Sequence, residues 1–307
     1  MTMENQTFAK EFYILPFSVS SDVISTVIFM IFSIYLFGVF TNSMIIILIH
    51  TSSQLQTPMY LFLCNLSIVD ICYTTVTVPK LLYICISEKN TISYTECFIQ
   101  MYFYVLVGST ENILILTMAF DRYVAICDPL NYHNILKKNN CIILMAGIWI
   151  LGSVNSFVLT RQASKMNFCH SKTIHQFFCD GKALINIACE GLEYFYAVIY
   201  IALFIFGFCA VVYILISYVK IMKVILQIKS KEGQKKAFST CSSHLIVLAM
   251  YYTTGASVYM IPKHLNILEQ VFTVFYTVVT PMVNPLIYSL RNNDVKRALT
   301  RLLKGNK

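Results

Sequence analysis

At 307 residues, 57% of them hydrophobic and 12% charged, the chain is too apolar to clothe a soluble globule in polar surface. Its net charge of +8 does not mark a nucleic-acid binder, because the basic residues sit in short loops with no aromatic-interleaved platform beside them. What remains is an all-α membrane protein.

Apolar stretches near the ~20 residues that a bilayer requires occur at Val23–His50, Thr57–Ser87, Cys97–Ile126, Cys141–Thr160, Leu192–Lys220, Ala237–Pro262 and Val271–Leu290. Seven predicted helices put the two ends of the bundle on opposite faces. One face collects fifteen basic residues: Arg122, Lys137, Lys138, six lysines between 220 and 236, and six Lys or Arg after 290. The other collects eight. Basic residues resist translocation and favour the anionic inner leaflet, so the C-terminus is expected in the cytoplasm and the N-terminus outside. The first helix, with no Lys or Arg after it before Lys80, does not orient itself by this rule.

The first residues of the tail 1–22 are polar and the apolar segment from near Val23 is too long for the h-region of a cleaved signal peptide, so the first helix is expected to act as its own insertion signal. Asn5-Gln6-Thr7 is a glycosylation sequon on the outward side, with Asn5 as acceptor. The bundle proper covers 23–290, and its one long loop, Arg161–Gly191, forms a lid. Cys97, Cys169, Cys179 and Cys189 lie on the outward side, where disulfides form; three pairings are open, and with His170 and His175 a zinc site is the less favoured reading. Beyond the bundle, Val295, Ala298, Leu299, Leu302 and Leu303 recur at helical spacing among basic residues, which predicts an amphipathic helix on the inner membrane surface over 291–307.

Four constellations carry the chemistry. Met118–Cys127 (MAFDRYVAIC) ends the third predicted helix with Asp121 beside Arg122, an ion pair at a membrane boundary that gives the guanidinium two places to be. Asp70 and Glu111 lie inside apolar helices, where each costs ~3 kcal/mol if charged and unpaired; a shared proton or a bound cation would relieve that cost. Pro285 frees a carbonyl inside the seventh helix, so Asn284 and Tyr288 can swing as it bends. In the outer half, Tyr104, Val105 and Gly108, and likewise Gly255, Ala256 and Tyr259, recur at helical spacing. With Ser109, Leu203, Phe206, Tyr252 and Thr277 they outline a mostly apolar pocket suited to a small volatile ligand.

Five motifs in order, Leu55–Tyr60 (LQTPMY), MAFDRYVAIC, Ser217-Tyr218, Lys236–Leu245 (KAFSTCSSHL) and Pro281–Asn292 (PMVNPLIYSLRN), resemble those of the vertebrate olfactory receptors, a branch of the rhodopsin-like G-protein-coupled receptors. The resemblance spans the whole chain. It implies a seven-transmembrane helix bundle at the plasma membrane that is not an enzyme. Such a bundle binds a small-molecule odorant and activates a heterotrimeric stimulatory olfactory-type G protein, raising cyclic AMP. It further implies the bridges Cys97–Cys179 and Cys169–Cys189, and no required cofactor beyond an allosteric Na⁺ held by Asp70, Glu111, Asn42, Ser67 and Asn284. The switch implied by the family comprises Asp121, Arg122, Tyr123, Tyr218, His244 and Tyr288, with Leu130 as an apolar knob for the G protein and the basic third inner loop, Lys229–Lys236, beside it. Lys263 aligns with a position that in some relatives contacts acidic ligands, although a Lys at a membrane boundary also snorkels.

The chain departs from the family's pattern at Thr41-Asn42 for Gly-Asn, Leu55-Gln56 for Leu-His, Phe120 for Tyr, and Lys182 near the usual Pro. The competing readings are a non-olfactory small-molecule chemosensory receptor and an ion-coupled transporter; the latter needs a repeat or a broken helix pair, and neither is visible. An opsin needs a lysine in Val271–Leu290, and an aminergic receptor an acid in Phe98–Gly108. The sequence has neither.

Overall fold

The computed structural model describes residues 11–17, 21–87, 89–169, 171–261, 265–291 and 293–304. In chain order the elements are strand β1 (Glu11–Ile14), helices α1 (Ser21–Thr51) and α2 (Pro58–Ser87), strand β2 (Thr91–Ser93), and helices α3 (Tyr94–Cys127), α4 (Tyr132–Ile135) and α5 (Lys138–Ala163). Strand β3 (Thr173–Ile174) and helix α6 (Gly181–Ile187) lie in the lid, followed by α7 (Leu192–Gln227), α8 (Lys231–Met260), α9 (266–291) and α10 (Asn293–Lys304). Helices α1, α2, α3, α5, α7, α8 and α9 make the seven-helix bundle.

Among the described residues, six of these helices are long and apolar enough to cross a membrane. The seventh, α8, is richer in Ser and Thr. Its hydroxyls turn back onto its own carbonyls, as Thr253 does to Ala249, Thr254 to Met250 and Ser257 to Thr253, which lets polar side chains ride on a helix in hydrocarbon. Most helices overrun their predicted spans: α1 at 31 residues and ~1.5 Å each exceeds the ~30 Å hydrocarbon layer.

Helix α7 reaches Gln227 and α8 starts at Lys231, capped by Ser230 Oγ accepting from Gly233 N. The basic third inner loop expected from the sequence is therefore only 228–230, and Lys231–Lys236 form the first turns of a helix. Helix α10 is amphipathic as predicted, and Val295 and Ala298 are buried where it meets α1 and the turn Ser53–Leu55. Two segments, Leu203–Cys209 in α7 and Phe275–Val279 in α9, are wound as π-helix, a form that clusters at functional sites.

The outer end is roofed by a sheet of order β2-β1-β3, with β1 antiparallel to β2 (Glu11 opposite Ser93) and parallel to β3 (Tyr13 opposite Thr173). Alternation explains its packing: Phe12 and Ile14 are fully buried, while Glu11 and Tyr13 face out. Phe12 packs against Tyr94 and Phe168. Glu11–Ile14 of the tail 1–22 are thus part of the roof.

Close packing between helices falls where side chains vanish. A Cβ at Gly38 would come within 3.3 Å of Met282 Cβ, and one at Gly152 would collide with Thr110 Oγ1. Thr41, which replaces the family's Gly, instead donates to the carbonyls of Phe37 and Gly38 at 3.0 and 3.1 Å, so the tight contact of α1 with α9 is at Gly38.

Candidate functional site

At the inner end of α3, Arg122 Nη2 lies 3.1 Å from Asp121 Oδ2. Asp121 is buried, and its Oδ1 accepts from the Tyr132 hydroxyl of α4 at 2.8 Å. Burial, followed by the charge of Asp121, raises the Tyr132 hydroxyl well above the usual phenol value and keeps it a donor. Around the guanidinium stand Tyr218 from α7, His244 and Cys241 from α8 and Tyr288 from α9, all within electrostatic reach of Arg122. Tyr218 and His244 share a short hydrogen bond through Nδ1, whereas the buried Tyr288 hydroxyl has no partner among the described residues. Tyr123 turns outward under Lys220, 5.6 Å from its ring centre. Leu130 is 92% exposed on the loop below.

Midway up, Asp70, Glu111, Asn42, Ser67 and Asn284 are all buried. Asn284 Nδ2 donates to both Asp70 oxygens at 3.1 and 3.3 Å, and Glu111 lies within electrostatic reach of Asp70. Asn42 Nδ2 donates to the carbonyl of Pro281 at 3.1 Å. That carbonyl is the one Pro285 cannot serve, having no N–H, so an α1 side chain satisfies the break in α9. The side-chain oxygens of Asn42 and Asn284 are buried without hydrogen-bond partners. Two orphaned amide oxygens beside two carboxylates form a hard oxygen donor set, which fits a Na⁺-like cation.

The outer half holds a linked set of aromatic rings. Tyr73 meets Tyr104 and Tyr276 edge-on at 5.3 and 5.7 Å, Tyr251 meets Tyr276 and Tyr252 at 5.7 and 5.2 Å, and Tyr104 leans on Phe178 of the lid at 4.6 Å. Two of the rings pack onto glycines: a Cβ at Gly108 would lie 3.5 Å from Tyr73 and one at Gly255 3.4 Å from Tyr276. Tyr251 donates to the Gly108 carbonyl at 3.2 Å, and Asn112 to the Tyr252 hydroxyl at 3.4 Å. Above these rings the lid is tied to α3 by Cys97–Cys179 and closed on itself by Cys169–Cys189. Those bonds consume the cysteines of the zinc reading.

These features invite comparison with known proteins. The family model described as "Olfactory receptor" matches residues 31–306. The chain belongs to the olfactory receptor family. Human olfactory receptor 2T10 is 40% identical over all of this chain and 99% of its own length, and rat olfactory receptor 1 is 41% identical over 98% and 97%. The fold matches squid rhodopsin with a TM-score of 0.74 at 14% identity, covering 94% of this chain and 87% of that one. Members of the family are signalling receptors rather than enzymes, and the chain is a multi-pass membrane protein.

In this receptor the predicted pocket residues do not all face one space. Tyr104, Val105, Gly108, Phe206, Tyr252 and Gly255 are half-buried. Tyr259 is half exposed yet within electrostatic reach of Asp180, Tyr104 and Tyr276. Thr277 is fully buried and donates to the Thr273 carbonyl of its own helix. Ser109 is engaged by Asn155 of α5 at 2.8 Å, which turns its hydroxyl toward that helix. Leu203 and Ala256 are exposed. Lys263 and Asn5 lie outside the described residues. Cys85, ambiguous from sequence, is a free and half-buried thiol.

A cavity of about 400 Å³ lies elsewhere, between α3, α5 and α7, and Ile113, Leu116, Phe120, Leu144, Cys209 and Tyr213 are among its lining residues. None of the predicted pocket residues lines it. Sequence reasoning missed Tyr73, Tyr251 and Tyr276, whose only signal was tyrosine density in apolar helices, and Phe178 of the lid, which gave none. It also missed Lys182 and Glu269, an ion pair at 3.0 Å, because a lysine in a loop reads as solvated. Burial raises the neighbouring Asp180 carboxyl to about 6, with Glu269 pushing the same way and the cap bond from Ala183 opposing.

Proposed function

We propose that this olfactory receptor binds a small, mostly apolar odorant beneath the lid and couples that binding to a stimulatory olfactory-type G protein, raising cyclic AMP. The observation that carries this reading is the Asp121–Arg122 pair, with Tyr218, His244 and Tyr288 of three other helices within electrostatic reach, below a cluster of aromatic rings packed on Gly108 and Gly255. Occupancy of the pocket favours outward movement of the inner half of α8, which opens a cleft around Arg122. The exposed Leu130 then serves as the apolar contact for the G-protein α subunit, with the N-terminus outside and the C-terminus in the cytoplasm. In cells carrying the olfactory G protein, a chemically diverse odorant panel that includes acids should raise cyclic AMP through the wild-type receptor. No rise with any member of the panel, from receptor counted at the surface, overturns the reading. If Lys263 contacts acidic ligands, Lys263→Ala should lose the response to acids alone.

A second element of the proposal is a sodium ion held by Asp70 and Glu111 with the oxygens of Asn42, Ser67 and Asn284. Its single charge would offset one of the two buried carboxylates and hold α2, α3 and α9 together in the resting arrangement, against the bend at Pro285 that moves Asn284. An ion that stabilises one state opposes a ligand that stabilises the other. Replacing external sodium by choline should therefore lower the odorant concentration needed for half-maximal response by about fivefold, and Asp70→Asn should remove that sensitivity. A sodium dependence that persists in Asp70→Asn overturns the site.

A further inference from the structure

One short helix and one lysine of the lid reach three helices of the bundle. Asp180 caps α6, its Oδ1 accepting from Ala183 N at 2.9 Å, and it follows Cys179, which is bonded to α3. The start of α6 is pressed against α7, since a Cβ at Gly181 would lie 3.1 Å from Phe195. Lys182 then reaches across to two other helices. Its Nζ pairs with Glu269 Oε2 in the first turn of α9 at 3.0 Å, and it donates to the carbonyls of Val258 and Ile261 at the end of α8, the latter at 3.2 Å.

Those carbonyls are where α8 runs out of N–H partners and where a cation is best placed. Both side chains are largely buried, 15% and 9% exposed, so the pair is neither a screened surface contact nor a solvated loop charge. Other ties hold the same seam: Gln270 of α9 donates to the carbonyls of Leu15 and His175, and Gln176 donates to Thr273. Among the hydrogen bonds and ion pairs given by the described residues, those of Lys182 are the ones that join the lid to the end of α8, the helix whose inner half is proposed above to move.

We propose that Lys182 is a positioning residue, an ionic clamp that seats the lid across the outer ends of α8 and α9 and thereby sets ligand access to the pocket and the potency of ligands. The clamp rests on the reading of this pocket as the ligand site, but it makes a prediction that needs no ligand. Loosening the roof admits reagents from outside.

The test starts from receptor carrying Val105→Cys, with the unsubstituted receptor as background for the native thiols. Labelling by a membrane-impermeant methanethiosulfonate reagent is followed on intact cells and normalised to surface receptor. Each of Lys182→Gln and Glu269→Gln should speed labelling of Cys at 105 by about fivefold, since local opening rates follow the contacts that close the segment. The double variant should be no faster than the quicker single, because the two residues act as one unit. Lys182→Arg, which keeps a cation with several donors, should label at the original rate.

If Lys182→Gln fails to reach the surface because Glu269 is left buried and unpaired, Glu269→Gln and the double variant, which leave no uncompensated acid, carry the test. With an odorant in hand, the same variants should raise the half-maximal concentration by about tenfold and non-additively. Labelling at the original rate in Glu269→Gln and in the double variant overturns the clamp, even if odorants activate the wild type. Faster labelling in a receptor that no odorant activates sustains the clamp and overturns the functional reading instead.

Discussion

Arg122→Ala should reach the cell surface in near-normal amount and raise no cyclic AMP with any odorant that activates the wild type. The two halves of that expectation have separate physical grounds. Delivery survives because Asp121 keeps its hydrogen bond from Tyr132, so the buried carboxylate loses its ion pair but not every partner. Signalling is lost because the guanidinium is the one group at this end of α3 that can leave Asp121 and enter a cleft opened by α8.

A companion variant tests the direction of the switch. Asp121→Asn retains an oxygen to accept from Tyr132 but removes the charge that holds Arg122, so cyclic AMP without odorant should rise. Each ~1.4 kcal/mol of lost holding energy shifts the resting ratio about tenfold. Normal odorant responses from Arg122→Ala refute the assignment of the switch, and unchanged basal signalling in Asp121→Asn refutes the ion pair as its latch.

The parts legible in the sequence are those set by local composition. Helix existence followed from apolar length, and Asp70, Glu111 and Arg122 drew notice because charge inside a membrane span is expensive. Pro285 announced a broken carbonyl, but nothing nearby in sequence named Asn42 as the group that repairs it, 239 positions away. Strand β1 was invisible for the same reason. Four alternating residues are too short a signal, and its partners lie at 91–93 and 173–174. Lys182 counts among the eight charges expected outside, a reading blind to its contacts. Its reach to α8 and α9 exists only once Asp180 starts a helix after the disulfide. The π-wound segments of α7 and α9 carry no distinctive spacing at all, and the pocket list set Tyr104 and Tyr252 of the ring cluster beside Ser109, which bonds to α5.

Losing the bridge to α3 should harm this receptor far more than losing the bridge within the lid. Cys97 and Cys179 are separated by 82 positions, and Cys169 and Cys189 by 20. By the chain-entropy account the longer loop stabilises by about 4.5 kcal/mol and the shorter by about 3 kcal/mol. Packing widens that gap. Cys97 and Cys179 are fully buried in the outer core with Phe12, Ile174 and Leu184. The Cys179 amide donates to Gln100 Oε1 at 3.0 Å, while Gln100 Nε2 donates to the Val76 carbonyl of α2 at 2.9 Å. Cys179→Ser therefore unseats α6 and with it the contact of Lys182 to α8 and α9, along with a link between α2, α3 and the lid. Surface receptor counted by antibody should fall to background for Cys97→Ser, for Cys179→Ser and for the double variant alike, because either loss opens the same bond. Cys169→Ser and Cys189→Ser should retain a measurable fraction at the surface, with the same odorant preference as the wild type. Equal loss at both bridges would mean that the lid's internal loop, rather than its anchor on α3, holds the outer end together.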